Sequence, residues 1–190
     1  MIGNLSIDAE LLLLINGWNS KGADEVMFSI SNKWSSLPVY AGLAIYFHRN
    51  YRQRFLTIVL LVAAMILLSD QLSNIFKYLV ERPRPCHDPA LQHLVHRVHD
   101  KCGGQFGFYS AHASNTAALA TLSSFLIPSK NARFILISWC VLIGYSRIYL
   151  GAHYPGDVIA GWFFGSLIGY SAYRIFVSPK FFKNQLVAGK

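Results

Sequence analysis

Within residues 55–80, the run from Leu56 to Leu68 is almost wholly apolar. About 20 such residues in a helix cross the hydrocarbon core of a bilayer, so a membrane span is the first constraint on this chain. The last two turns of the stretch change character. Asp70, Asn74, Lys77 and Glu81 recur at helical spacing, with Ser73 beside them. A polar stripe on a membrane helix faces the bundle interior or a wet cavity. Arg82-Pro83-Arg84-Pro85 then ends the helix, because proline donates no backbone hydrogen bond and disfavours helix in the residue before it.

The remainder of the 190 residues agrees with a membrane protein: 53% are hydrophobic and 14% charged, where soluble domains carry about 25% charged residues. Further spans are predicted over residues 24–48, 111–128, 134–150 and 155–177. The first is weak, holding Ser29, Asn32 and Lys33, with a bend at Pro38. The last carries Gly161, Gly165 and Gly169, a smooth face for close helix approach. Residues 5–17 predict a short N-terminal helix, interfacial or packed. Leu91, Leu94, Val95 and Val98 predict a short amphipathic helix in the long segment 86–109. The expected fold is all-α: one domain over 1–190, a polytopic membrane helical bundle of five to six helices with one short amphipathic outer-loop helix.

The net charge of +8 would suggest nucleic acid in a soluble protein, but here it reads as membrane topology. The connectors at 49–54 and 129–133, and the tail with Lys180, Lys183 and Lys190, are basic and free of acids, which places them in the cytoplasm. Residues 80–110 and 150–155 then share the outer side. Lys77, Arg84, Ser110, His112, Arg147, His153 and Asp157 all fall at the outer ends of their helices.

That set has a chemistry. Lys77, Arg84 and Arg147 suit an anion, carboxylate or phosphate, and arginine matches phosphate oxygens bidentately. Ser110 stands where a helix begins, and free amides at a helix start bind anions. One of His112 and His153 can attack phosphorus while the other protonates the departing oxygen. Asp157 lies four residues beyond His153, within reach across one helical turn, which favours His153 as the nucleophile. No carboxylate cluster suits a Mg²⁺ pair, so no metal is expected, and the basic side chains are left to neutralise the phosphoryl group.

These residues resemble the three motifs of the type 2 phosphatidic acid phosphatase family, the membrane lipid phosphatases related to vanadium haloperoxidases. Lys77 through Arg84-Pro85 fits K-x6-R-P, with Arg82-Pro83 set aside as wrongly spaced. Tyr109-Ser110-Ala111-His112 is similar to P-S-G-H, with Tyr for Pro and Ala for Gly. Ser146-Arg147 through His153 to Asp157 fits S-R-x5-H-x3-D. The resemblance implies a phosphohistidine at His153, with Asp157 raising its nucleophilicity. It makes His112 the proton donor to the leaving group and the later activator of water. Lys77, Arg84, Ser110, Ala111 and Arg147 would hold the phosphate, with no cofactor. A methyl at Ala111 is tolerable if φ there is negative and harmful if it is positive.

The implied protein is a hydrolase of lipid phosphates or diphosphates in a bacterial plasma (inner) membrane, multi-pass, with its site facing the periplasm or exterior. Its partners would be the bilayer and a lipid phosphate, with no nucleic acid, and its oligomeric state is not set by the sequence. Undecaprenyl diphosphate is the favoured substrate by analogy, because recycling that carrier needs an outward site. Phosphatidylglycerol phosphate, phosphatidic acid and lipid A phosphates are alternatives. A lipid phosphotransferase and a non-catalytic lipid-phosphate binding or transport protein are the competing functions. Cys86 and Cys102 flank the outer loop and predict a disulfide there. His87, His93, His96 and His99 predict a solvated helix face rather than a zinc site, and Asp70 a structural partner within its span.

Overall fold

The computed structural model describes residues 5–178, so the basic tail at 180–190 lies outside the described residues. The described residues form seven α-helices joined by loops and short 3-10 turns: α1 (Ile7–Gly17), α2 (Lys21–Ser31), α3 (Leu37–Asn50), α4 (Phe55–Val80), α5 (Ala111–Leu126), α6 (Lys130–Tyr149) and α7 (Pro155–Phe176).

Helix α5 is the central post. Its sequence is rich in Ala, Ser and Thr, and those small side chains are buried against neighbours rather than turned to lipid. The glycines of α7 face it. A Cβ on Gly161, Gly165 or Gly169 would come within 2.6, 2.1 and 2.3 Å of the carbonyl oxygens of Ser110, Ser114 and Ala118. The two backbones therefore touch along one stripe, which glycine alone permits. Ser69 of α4 is hydrogen-bonded to Ser114 at 2.7 Å, satisfying two buried hydroxyls. The outward faces are apolar: Leu56, Leu60 and Leu67 on α4, Phe134 and Ile135 on α6, and Ile159 and Phe163 on α7 are exposed. A belt of this kind suits hydrocarbon rather than water. By length and apolar composition, Arg52–Val80 and Lys130–Tyr149 each suffice to cross a membrane; α5, at 16 residues, is shorter than either.

Two predicted elements differ. The span at 24–48 is broken into α2, a 3-10 turn at Lys33–Ser36, and α3. Asn32 Oδ1 accepts the Trp34 amide at 3.1 Å, and Ser35 Oγ donates to the Ile30 and Asn32 carbonyls at 2.7 and 2.6 Å. These side chains divert the backbone from one continuous ladder, and Pro38 falls in the first turn of α3, where its missing N–H costs nothing. The amphipathic helix expected at 91–98 is a set of turns followed by a 3-10 turn at Val98–Asp100. Leu91, Val95 and Val98 of its apolar face are nonetheless buried, while Leu94 is exposed. Asn16 of α1 explains the lost helix. Its Oδ1 accepts the His96 amide at 2.8 Å and its Nδ2 donates to the His96 carbonyl at 2.9 Å, taking both backbone groups out of any helical ladder.

Helix α1 lies across the mouth of the bundle. Near its start, Asp8 accepts the amide of Gly156 at the beginning of α7, at 2.8 Å. Near its end, Asn16 donates to the carbonyl of Tyr149 at the end of α6, at 2.7 Å. Both contacts are on one face of the bundle, and 11 residues reach about 16 Å as a helix, so α1 does not cross. Helix α2 packs on the same face, where Asp24 accepts from Tyr149 Oη at 2.8 Å.

Candidate active site

The mouth is framed by the loop from α4 to α5. Its two legs are paired, with Arg84 N donating to Gln105 O and Gly107 N donating to Arg82 O, both at 2.9 Å. Paired, extended backbone sends alternate side chains to opposite faces. Arg82 and Arg84 therefore both turn inward while Pro83 turns away. A disulfide joins Cys86 to Cys102, with Cα atoms 6.1 Å apart. Beyond it Gly103, at φ 101°, lies against the Arg84 guanidinium, 3.4 Å from where a Cβ would stand.

The loop between α6 and α7 brings His153 to this wall. Arg84 Nη1 donates to the Ala152 carbonyl at 2.8 Å and lies 2.9 Å from His153 Nε2. Arginine cannot accept a hydrogen bond, so Nε2 is the acceptor and the ring proton sits on Nδ1. Nδ1 points at Asp157 Oδ2, 3.6 Å away. Asp157 is fully buried at the start of α7. Its Oδ2 accepts the Tyr154 amide at 3.0 Å, its Oδ1 accepts from Arg82 Nη1 at 2.9 Å, and its carbonyl accepts the Ser110 amide at 3.0 Å. Burial first, then the positive field of Arg84, Arg147, His112 and Lys77, pushes the His153 imidazole well below its ordinary value. His153 is therefore neutral near pH 7, with the Nε2 lone pair turned to Arg84 Nη1.

The cations surround that nitrogen. Arg147, in the last turn of α6, bonds through Nη1 to Ser31 Oγ of α2. Arg84 Nε and Arg147 Nε are buried donors without a partner among the described residues. Unmatched buried donors are costly, and two of them on two arginines at one mouth mark an anion site. Lys77 is half-buried at the end of α4, 3.3 Å from Asn74 Oδ1. Beside Arg147 opens a cavity of about 470 Å³, lined by Phe28, Ser31, Lys101, Cys102 and Ala152 among others.

Helix α5 supplies the opposite wall. Ser110 is its N-cap, with Oγ accepting the Ala113 amide at 3.4 Å, which leaves the Ala111 and His112 amides at the helix opening. Ala111 is the first residue of α5 and is not among the residues with positive φ. Its methyl is therefore accommodated, and the departure from glycine does not distort the turn. Tyr109, in place of proline, is fully buried and stacks on Phe164 with ring centroids 4.8 Å apart. It pins the segment leading into α5 against α7. His112 is exposed toward the mouth.

The structure thus gathers Lys77, Arg84, Ser110, Ala111, His112, Arg147, His153 and Asp157 at one end of the bundle. Asp70 accepts from Asn115 Nδ2 at 2.8 Å, a structural link from α4 to α5. Of the four loop histidines, His93 is exposed, and the other three are tied to the protein rather than lining a helix face. His96 Nε2 lies 3.0 Å from Asp24 Oδ2 and His99 Nε2 lies 3.1 Å from Glu25 Oε1, tying the loop to α2, while His87 Nε2 lies 3.2 Å from the Gly103 carbonyl. Two residues the sequence reading passed over belong to the site's frame. Arg82, set aside for its spacing, holds Asp157, and Asp8 of α1 holds Arg82 at 2.6 Å. The two-residue period across Pro83 could have revealed Arg82; nothing local marks Asp8.

An anion cradle of arginines, a neutral buried imidazole backed by a carboxylate, and a second histidine, all at one end of an apolar-faced helical bundle, define a membrane enzyme for phosphorylated lipids. The chain belongs to the PAP2 superfamily, which it matches over residues 57–180. It is 35% identical to a lipid A 4'-phosphatase of Bacteroides thetaiotaomicron, over 89% of this chain and 76% of that one. It is 30% identical to an undecaprenyl-diphosphatase of Sulfolobus acidocaldarius, over 90% and 80%. The fold is that of the crystal structure of Aquifex aeolicus LpxE, with TM-score 0.72 and 24% identity over 92% of this chain and 99% of that one. The protein is a PAP2 phosphatase of membrane lipid phosphates.

Proposed function

We propose that the protein removes phosphate from a lipid A-type glycolipid through a phosphohistidine on His153, without a metal, at the outer face of a bacterial inner membrane. The observation that carries the mechanism is the Arg84–His153–Asp157 arrangement: one arginine contacts the nitrogen that attacks, and one carboxylate faces the nitrogen that keeps its proton. Arg84, Arg147, Lys77 and the first amides of α5 bind the phosphoryl oxygens and oppose the charge that builds during transfer. Arg84 shifts its donor from Nε2 to a phosphate oxygen as substrate enters. His153 Nε2 forms a bond to phosphorus while the bond to the lipid oxygen breaks, and His112, which holds a second proton once the phosphate dianion is bound beside it, gives that proton to the departing oxygen. Asp157 stabilises the cationic ring. In the second half His112 takes a proton from water, the water oxygen bonds to phosphorus, and the N–P bond breaks to release inorganic phosphate.

Two relatives named lipid A 4'-phosphatase, at 35% and 33% identity across some nine-tenths of this chain, support lipid A over the undecaprenyl diphosphate expected by analogy. The cavity of about 470 Å³ beside Arg147 is roomier than a phosphate needs and suits a sugar headgroup. The undecaprenyl diphosphate reading keeps support from the Sulfolobus relative. Basic connectors around Arg52 and Lys130, on the face opposite the site, support an outward mouth. The test is phosphate release by detergent-purified protein, in EDTA, from lipid A, undecaprenyl diphosphate, phosphatidylglycerol phosphate and phosphatidic acid. Lipid A should give the highest kcat/KM; a clear lead for undecaprenyl diphosphate would establish the second reading instead.

A further inference from the structure

Helix α1 lies outside residues 57–180, yet it reaches the site. Asp8 Oδ2 accepts from Arg82 Nη2 at 2.6 Å, and Arg82 Nη1 donates to Asp157 Oδ1 at 2.9 Å. Asp8 Oδ1 accepts the Gly156 amide at 2.8 Å, one residue before Asp157. The Arg82 guanidinium lies 3.8 Å above the Tyr154 ring, whose hydroxyl donates to Asp88 at 2.7 Å. Arg82 is therefore fixed on two sides and from below. Burial opposes its charge, but Asp157 and then Asp8 outweigh that and hold its pKa above the ordinary value.

This arrangement fixes the direction of Asp157. A carboxylate at the first turn of a helix can turn either oxygen toward its neighbours. With Oδ1 committed to Arg82, Oδ2 is the oxygen left for the Tyr154 amide and for His153 Nδ1. We propose that Asp8 and Arg82 act in series as positioning residues for the phosphatase reaction, orienting Asp157 so that it backs His153 during phosphoryl transfer. Neither touches the phosphate. The inference rests on the phosphohistidine reading of His153.

The series has a signature that simple stability does not. Asp8→Asn preserves size and an acceptor for Gly156 but puts an amide opposite Arg82 for one of the two oxygens. Arg82→Gln removes the bridge. Each should lower kcat about tenfold, the scale of one lost oriented contact, with KM changed less than twofold, because the phosphate cradle is intact. Arg82→Lys, one point charge in place of a two-sided fork, should recover only part of the loss. In the double variant the losses should not multiply: with Arg82 gone, Asp8 has no route to Asp157. The experiment is steady-state turnover of a lipid phosphate by wild type, D8N, R82Q, R82K and D8N/R82Q in detergent, per folded molecule by thermal melting, with His153→Ala alongside. Wild-type kcat in folded D8N, or losses that multiply in the double variant, would overturn the series. Full turnover by His153→Ala would instead remove the reading on which it rests.

Discussion

Gly165→Ala is the sharpest perturbation of the frame that aligns the site. The added Cβ would stand 2.1 Å from the Ser114 carbonyl oxygen and 2.8 Å from Ser114 C and Cα. An ordinary C···O contact is about 3.4 Å, so α7 must move by roughly 1.3 Å relative to α5. The obstacle is helix backbone, which has no rotamer to yield. Overpacking of this kind costs about 1–3 kcal/mol, which lowers a melting midpoint by roughly 2–4 °C per kcal/mol in a chain of this size. The same displacement loosens the 3.0 Å bond from the Ser110 amide to the Asp157 carbonyl, a backbone link between the two walls of the site. Turnover should therefore fall with stability, by about tenfold or more, since a 1 Å misplacement can cost on the order of 10²-fold. Gly42→Ala on α3 is the control, because nothing lies within 4 Å of its Cβ, and it should be neutral or slightly stabilising. The assay is thermal melting and phosphate release on both variants in one detergent. A Gly165→Ala protein that melts and turns over like wild type would refute the close-contact argument.

Two further outcomes follow from the loop and from His153. Cys86→Ser should lower stability by on the order of 3 kcal/mol and raise KM several-fold, because the disulfide holds Gly103 against Arg84; melting curves and KM with and without reductant check this. Burial and the surrounding cations hold the His153 pKa below its ordinary value. In that case the unfolded chain binds the extra proton first. The stability contribution is fully present above the unfolded value of about 6.5 and is lost as pH falls below it toward the folded value. The melting midpoint should drop between pH 7 and pH 5, and the drop should be smaller in His153→Gln.

The site was legible because its chemistry is written in short spacings. His153 and Asp157 are four apart across a loop and first helical turn, and Lys77 and Arg84 bracket the end of α4, so local geometry carries each pair to the mouth. The glycine stripe of α7 was legible for the same reason, although its partner, the carbonyl row of α5, was not. What escaped the sequence reading depends on contacts distant in the chain. The 91–98 periodicity buries Leu91, Val95 and Val98 but leaves Leu94 exposed, and Asn16, on another helix, takes the backbone groups that a helix would use. The break at Asn32–Ser36 rests on local side-chain bonds of Asn32 and Ser35, a competition that hydropathy does not register. Asp8 has no local signature, since its meaning comes from Arg82, 74 residues away.

The proposed mechanism turns on His153 as the carrier of the phosphoryl group. A single-turnover reaction with a lipid phosphate labelled at phosphorus, quenched in alkali, tests it most directly. A phosphohistidine gives an acid-labile, alkali-stable label that maps to His153, is absent from His153→Ala, and accumulates when His112 is replaced by a residue that cannot activate water and the substrate has a good leaving group. Turnover by wild type with no labelled histidine at any time, or a label that persists in His153→Ala, would contradict it.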